Sequence, residues 1–123
     1  MKERMDYASA APGLMKALNG LQHYVDHGSI ESSLLELIRI RASQINGCAY
    51  CLDMHTKDAR AAGETEMRIY TLSAWRETPF YTDRERAALE WTEALTLIAS
   101  NPVTDELFAQ VREIGRASCR ERV

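Results

Sequence analysis

The sequence predicts an all-α, single-domain bundle of about six helices, and three observations carry that prediction. Apolar residues recur three and four positions apart, as in Leu14, Leu18, Leu21 and Val25, the repeat of one helix face. No stretch sustains the alternation of apolar and polar residues that a strand requires. Pro12-Gly13, Gly28, Gly63, Pro79 and Pro102 fall between the periodic runs, where they start and stop helices.

Each helix follows from those signals. Pro12-Gly13 opens the first, residues 14–26, and Gly28 ends it. Ser29 or Ser32 caps a second that runs to about Gln44. Its apolar residues Leu34, Leu35, Leu37, Ile38 and Ala42 point to burial on most sides. Asn46-Gly47 makes a turn, a third helix covers residues 48–62, and Gly63 is its C-terminal cap. A fourth, residues 64–77, carries Met67, Ile69, Tyr70, Leu72 and Trp75 and stops at Thr78-Pro79. Thr82 or Asp83 caps a long fifth, with Ala87, Ala88, Trp91, Ala94, Leu95 and Ile98 apolar. Glu85 is placed for a capping box if Thr82 is the cap, and Asn101-Pro102 ends the helix. Thr104 caps a sixth, residues 105–113. The aromatic residues Tyr24, Tyr70, Trp75 and Trp91 lie at helical spacing and are expected in the core.

Composition narrows the function classes. A chain of 123 residues is one domain with room for a core. The net charge of −3 and the absence of a basic stripe argue against nucleic acid as a partner. No apolar run approaches the ~20 residues of a membrane span, and no hydrophobic segment follows Met1-Lys2-Glu3-Arg4 to make a secretory signal. Three cysteines, two of them in one motif, suit a reducing cytoplasm better than a secreted disulfide scaffold. Residues 114–123 abandon the preceding periodicity and resemble a translated sequencing adapter. The expectation is a non-native read-through tail after about Glu113, in which Cys119 is no site. That tail carries +2, which leaves −5 on residues 1–113.

The chemistry-bearing motif is Cys48-Ala49-Tyr50-Cys51-Leu52-Asp53-Met54-His55. On a helix, residues three and four apart are neighbours. Cys48 and Cys51 are then about 5 Å apart at Cα, within disulfide range, and His55 sits one turn beyond Cys51. Asn46-Gly47 places Cys48 in the first turn, where free N–H groups and the helix dipole favour a thiolate. Three readings compete. A structural zinc site needs four nitrogen or sulfur ligands; the motif offers three, and His23 and His27 lie on another predicted helix, where a solvated helix end is their simpler role. Two inert buried thiols are the second reading. The third is a dithiol redox catalyst, with His55 as base for Cys51 and Cys48 resolving the oxidised sulfur as a disulfide. A thioredoxin-type enzyme would need strands that this sequence lacks.

Residues 33–59, with Asn46-Gly47-Cys48-x-x-Cys51, His55 and a glutamate twelve residues before Cys48, resemble the core motif of the carboxymuconolactone decarboxylase superfamily, and its alkylhydroperoxidase D-like branch in particular. Ala62-Gly63-Glu64, Trp75-Arg76-Glu77-Thr78-Pro79-Phe80 and Glu90-Trp91-Thr92-Glu93-Ala94-Leu95-Thr96 are similar to that branch as well, so the resemblance covers residues 5–113. It implies an all-α fold and a thiol-dependent peroxidase with a proton relay of Glu36, His55, Cys51 and Cys48. Cys51 is the implied attacking thiolate, and Glu36 orients His55. Without the resemblance, Glu36 reads as one of a polar strip with Ser32, Arg39 and Ser43. The branch implies a hydroperoxide substrate, a lipoyl-bearing or thioredoxin-like thiol donor, no metal or other cofactor, and a homo-oligomer, trimer or hexamer. A close member has a histidine between the cysteines, where this chain has Tyr50. Members also continue for two more helices, so truncation of the core and subunit interface is expected. A carboxymuconolactone decarboxylase activity and a non-catalytic thiol redox sensor are the alternatives on the same fold.

Overall fold

A computed structural model describes residues 2–120, with side chains through Gly115. Every regular element among them is helical: α1 (Tyr7–Ala10), α2 (Pro12–Asp26), α3 (Ser32–Asn46), α4 (Ala49–Ala61), α5 (Glu66–Tyr70), a 3-10 segment (Leu72–Glu77), α6 (Asp83–Thr96) and α7 (Asp105–Arg120). The all-α expectation holds, with more pieces than the six expected. The chain divides into two compact units, Met1–Ser32 and Ser33–Val123.

In the first unit, the Asp6 carboxylate caps α1 by accepting from the N–H groups of Ala8 and Ser9 at 3.1 and 3.3 Å. Pro12 then occupies the first turn of α2, where a missing N–H costs nothing. The α2 stripe of Leu14, Leu18, Leu21 and Val25 forms as expected, but these side chains are 40–63% exposed.

The second unit holds the core: Leu37 and Ile40 of α3, Ala59 of α4, Ile69 of α5, Leu72 and Trp75 of the 3-10 segment, Tyr81, and Leu89 of α6. Leu37, Ile40, Leu72 and Leu89 are essentially inaccessible to solvent. Trp75 is the one expected core aromatic that is fully buried. Tyr24 and Tyr70 are exposed and Trp91 is half-buried, which corrects the expectation for those three. Their helical spacing fixes which face they share but not whether another element covers it.

The expected fourth helix, residues 64–77, is two elements. It breaks at Thr71, whose hydroxyl donates back to the Met67 carbonyl at 2.7 Å. The Tyr81 hydroxyl bonds the Arg68 carbonyl at 2.5 Å. Beyond the break the backbone tightens to 3-10 geometry. Arg86 secures its end by donating to the carbonyls of Trp75, Thr78 and Arg76 at 3.0–3.2 Å. Thr82 caps α6 through its hydroxyl as expected, while the Glu85 carboxylate pairs with Arg68 at 2.8 Å. The fifth expected helix ends at Thr96, before Asn101-Pro102. The sixth starts under the Thr104 cap but continues to Arg120 rather than stopping near Glu113, so the backbone stays helical where the apolar pattern lapses. The side chains of residues 116–120, Cys119 included, and residues 121–123 lie outside the described residues, so most of the expected read-through tail does as well. No helix among the described residues is long and apolar enough to cross a membrane.

One half-buried carboxylate ties three elements of this unit together. Glu93 of α6 accepts from Arg41 Nε of α3 and from Trp75 Nε1, each at 2.8 Å, and also from the Arg76 guanidinium. Burial pushes the Glu93 carboxyl up, but the hydrogen bonds from Arg76, Trp75 and Arg41 outweigh it and hold the group below the usual carboxylate range. A group held low stabilises the fold above its unfolded value and loses that contribution as pH falls through its folded value. Glu93→Gln is therefore expected to cost about 2 kcal/mol near neutral pH, read as a lower melting temperature. That gap should shrink as pH falls below about 4.5. A gap independent of pH from 7 to 3 would rule out the charge as its source.

Candidate functional site

The corner between α3 and α4 is built by backbone geometry. Gly47 has φ +64°, the left-handed conformation that glycine adopts without strain. Its N–H bonds to the Gln44 carbonyl at 3.3 Å and the Cys48 N–H bonds to the Ser43 carbonyl at 3.1 Å, the paired closure of a Schellman motif. Cys48 thus ends one helix and begins the next. It is the N-cap of α4 rather than a residue of its first turn, and its sulfur accepts the Cys51 N–H at 3.3 Å. Gly63, at φ +101°, closes the far end of α4 in the same way, with the Glu64 N–H on the Ala59 carbonyl at 2.9 Å.

Cys48 and Cys51 are joined as a disulfide with Cα atoms 5.4 Å apart, close to the spacing read from the sequence. Both are half-buried, and Tyr50 between them is 77% exposed. The tight corner folds α4 back against α3 and brings together Glu36 and His55, 19 positions apart. Glu36 Oε2 lies 2.9 Å from His55 Nδ1. The other oxygen, Oε1, accepts from Arg39 Nη1 at 2.8 Å. The side chains of Glu36, His55 and Arg39 are 14, 17 and 22% exposed. An ionised carboxylate only accepts hydrogen bonds, so Nδ1 carries the hydrogen and Nε2 is the nitrogen left to take a proton.

Two residues here went unassigned in the sequence reading. Arg39 sits three positions after Glu36, a spacing at which opposite charges meet on a helix. Asp58, three after His55, is exposed, and one ligand atom each from Glu36, His55 and Asp58 lies within 4.8 Å of the others. Glu36 already carries a guanidinium, which opposes a metal cation there. His23 and His27 stack on each other in the first unit, with ring centroids 4.1 Å apart. A cavity of about 140 Å³ opens on Glu36, lined also by Ser33, Ala59, Ala62, Gly63 and Glu64. A larger one of about 510 Å³, against Trp75, Arg76, Arg86, Glu90 and Gln110, includes none of the four motif residues.

The sequence profile of the carboxymuconolactone decarboxylase family matches residues 12–94, which include the whole corner. The chain belongs to that family. Among its relatives, the uncharacterised protein YdfG of Bacillus subtilis is 52% identical over 113 residues, covering 92% of this chain and 77% of YdfG. The uncharacterised protein YnjA of Escherichia coli is 31% identical over 71 residues, 57% of this chain and 37% of its own. A solved structure, ATU0492 of Agrobacterium tumefaciens, superposes with a TM-score of 0.86 at 44% identity, covering 92% of this chain and 77% of that one. It is described as a protein of unknown function and a candidate antioxidant defence protein AhpD.

Proposed function

We propose that this family member is a thiol-dependent peroxidase that reduces an organic hydroperoxide at Cys51. The observation that carries the proposal is a half-buried histidine, held by a carboxylate, one helical turn from a dithiol pair at a helix N-terminus. In the reduced protein, His55 Nε2 takes the Cys51 proton and the thiolate attacks the terminal peroxide oxygen. The O–O bond breaks, Cys51 becomes a sulfenic acid, and the alkoxide leaves as the alcohol with the proton returned by His55. The Cys48 thiol then attacks the Cys51 sulfur, releasing water and closing the disulfide. Two thiols are oxidised and one peroxide bond is reduced. A dithiol donor, lipoyl-bearing or thioredoxin-like, restores both thiols by exchange. A reducing cytoplasm is the compartment proposed for such a cycle. The exposed apolar stripe of α2 supports self-association as a homo-oligomer, which sedimentation would test.

The description of the Agrobacterium relative agrees with the proposed activity. The family's name favours a second reading, γ-carboxymuconolactone decarboxylation, which has no need of a dithiol; a thiol redox sensor is the non-enzymatic alternative. One assay separates the three. Hydroperoxide loss is measured with excess dihydrolipoamide, before and after alkylation of the reduced protein with iodoacetamide. Catalytic consumption that alkylation abolishes is the expected result. Stoichiometric oxidation without turnover would select the sensor, and lactone decarboxylation that survives alkylation would select the decarboxylase.

A further inference from the structure

Glu36 has two oxygens and a different partner on each: His55 Nδ1 on Oε2 at 2.9 Å and Arg39 Nη1 on Oε1 at 2.8 Å. We propose that Arg39 is a positioning residue of this site, which holds the Glu36 carboxylate in orientation and balances its charge, so that Glu36 aligns His55 without keeping it protonated. The inference rests on the peroxidase reading for its catalytic consequence, but not for the coupling itself.

Two physical arguments support it. A carboxylate tethered at one oxygen can no longer rotate freely, so its second oxygen stays on the imidazole. A carboxylate beside an imidazole also favours the charged imidazolium, and a half-buried site weakens the screening that would limit this. The Arg39 charge on the opposite oxygen offsets that pull. The base therefore keeps an orienting partner while Nε2 remains available for a proton. Arg39 also has an interaction besides the one with Glu36, and other ionisable groups among the described residues lie at this place. Asp58 on α4 has an oxygen within 4.8 Å of the pair, Glu64 lines the same small cavity but is bound by Arg68, and the two cysteines are uncharged as the disulfide.

The test uses the full chain with the Cys48–Cys51 disulfide closed, so that neither thiol of the motif titrates. The His55 ring resonances are followed by NMR as a function of pH in the parent, Arg39→Met, Arg39→Lys and Glu36→Gln, with thermal melts as the folding control. Arg39→Met is expected to raise the midpoint of the His55 titration by about one pH unit, with a melt close to the parent's. Arg39→Lys should stay near the parent, and Glu36→Gln should move the midpoint down. In parallel, Arg39→Met should lower hydroperoxide turnover about tenfold near neutral pH, with its acid limb displaced to higher pH. A midpoint in Arg39→Met within 0.2 unit of the parent's (an order-of-magnitude threshold set against a shift of about one unit) overturns the proposal, as does a displaced midpoint with unchanged turnover. If the parent shows no turnover at all, the peroxidase reading fails, and the NMR midpoints still decide the coupling of Arg39 to His55.

Discussion

Cys51→Ser is expected to lower hydroperoxide turnover on the order of 10³-fold or more, and to abolish the first oxidation as well as the steady state. A serine hydroxyl at this position is a far weaker nucleophile than a thiolate, and no sulfenic acid can form on it. Cys48→Ser should behave differently. It leaves Cys51 able to attack once, so one equivalent of hydroperoxide per chain is consumed and the sulfenic acid persists, detectable by mass or by dimedone capture. Local geometry makes this contrast informative. Cys48 is the N-cap and its sulfur already accepts the Cys51 N–H at 3.3 Å, an environment that favours a thiolate and hence a good leaving thiol in exchange. Cys51 lies one turn before the histidine that Glu36 holds. If the single-turnover burst survives in Cys51→Ser and is lost in Cys48→Ser, the two roles are reversed.

His55→Ala is expected to reduce turnover by about 10²–10⁴-fold, the range for loss of a general base. The fold should tolerate the change. His55 is only half-buried and is absent from the cluster formed by Leu37, Ile40, Ala59, Ile69, Leu72, Trp75, Tyr81 and Leu89. A variant that keeps turnover within a factor of two would remove His55 from the mechanism, and the relay would then need another base. Asp58 would be the first to examine, since one of its oxygens lies within 4.8 Å of the same atoms.

Several features were legible because their causes are local. The caps at Thr82 and Thr104 bond the N–H groups three residues on. The glycines at 47 and 63 take the left-handed conformations that end α3 and α4. The Cys48–Cys51 spacing follows from helical geometry alone. Features set by distant partners were not legible. The break at Thr71 involves the hydroxyl of Tyr81, ten residues later, and the indole N–H of the buried Trp75 finds its acceptor in Glu93, eighteen residues on. Nothing in the periodicity near either residue announces those partners. Exposure was misread for Tyr24 and Tyr70 for the same reason, since a face is apolar by sequence but buried only by what covers it.

For the candidate site the division is similar. By itself the sequence determined the all-α class and most of the helices, the dithiol pair, the histidine one turn beyond it and, through a family motif, the glutamate behind that histidine. Read locally, Glu36 and Arg39 belonged to an ordinary polar strip of α3. Tertiary structure alone decided that the turn at Gly47 folds α4 back on α3, setting a carboxylate 2.9 Å from His55 and an arginine on its other oxygen. Local periodicity specifies which side chains share a helix face, whereas a contact between groups 19 positions apart exists only once a corner has brought two faces together.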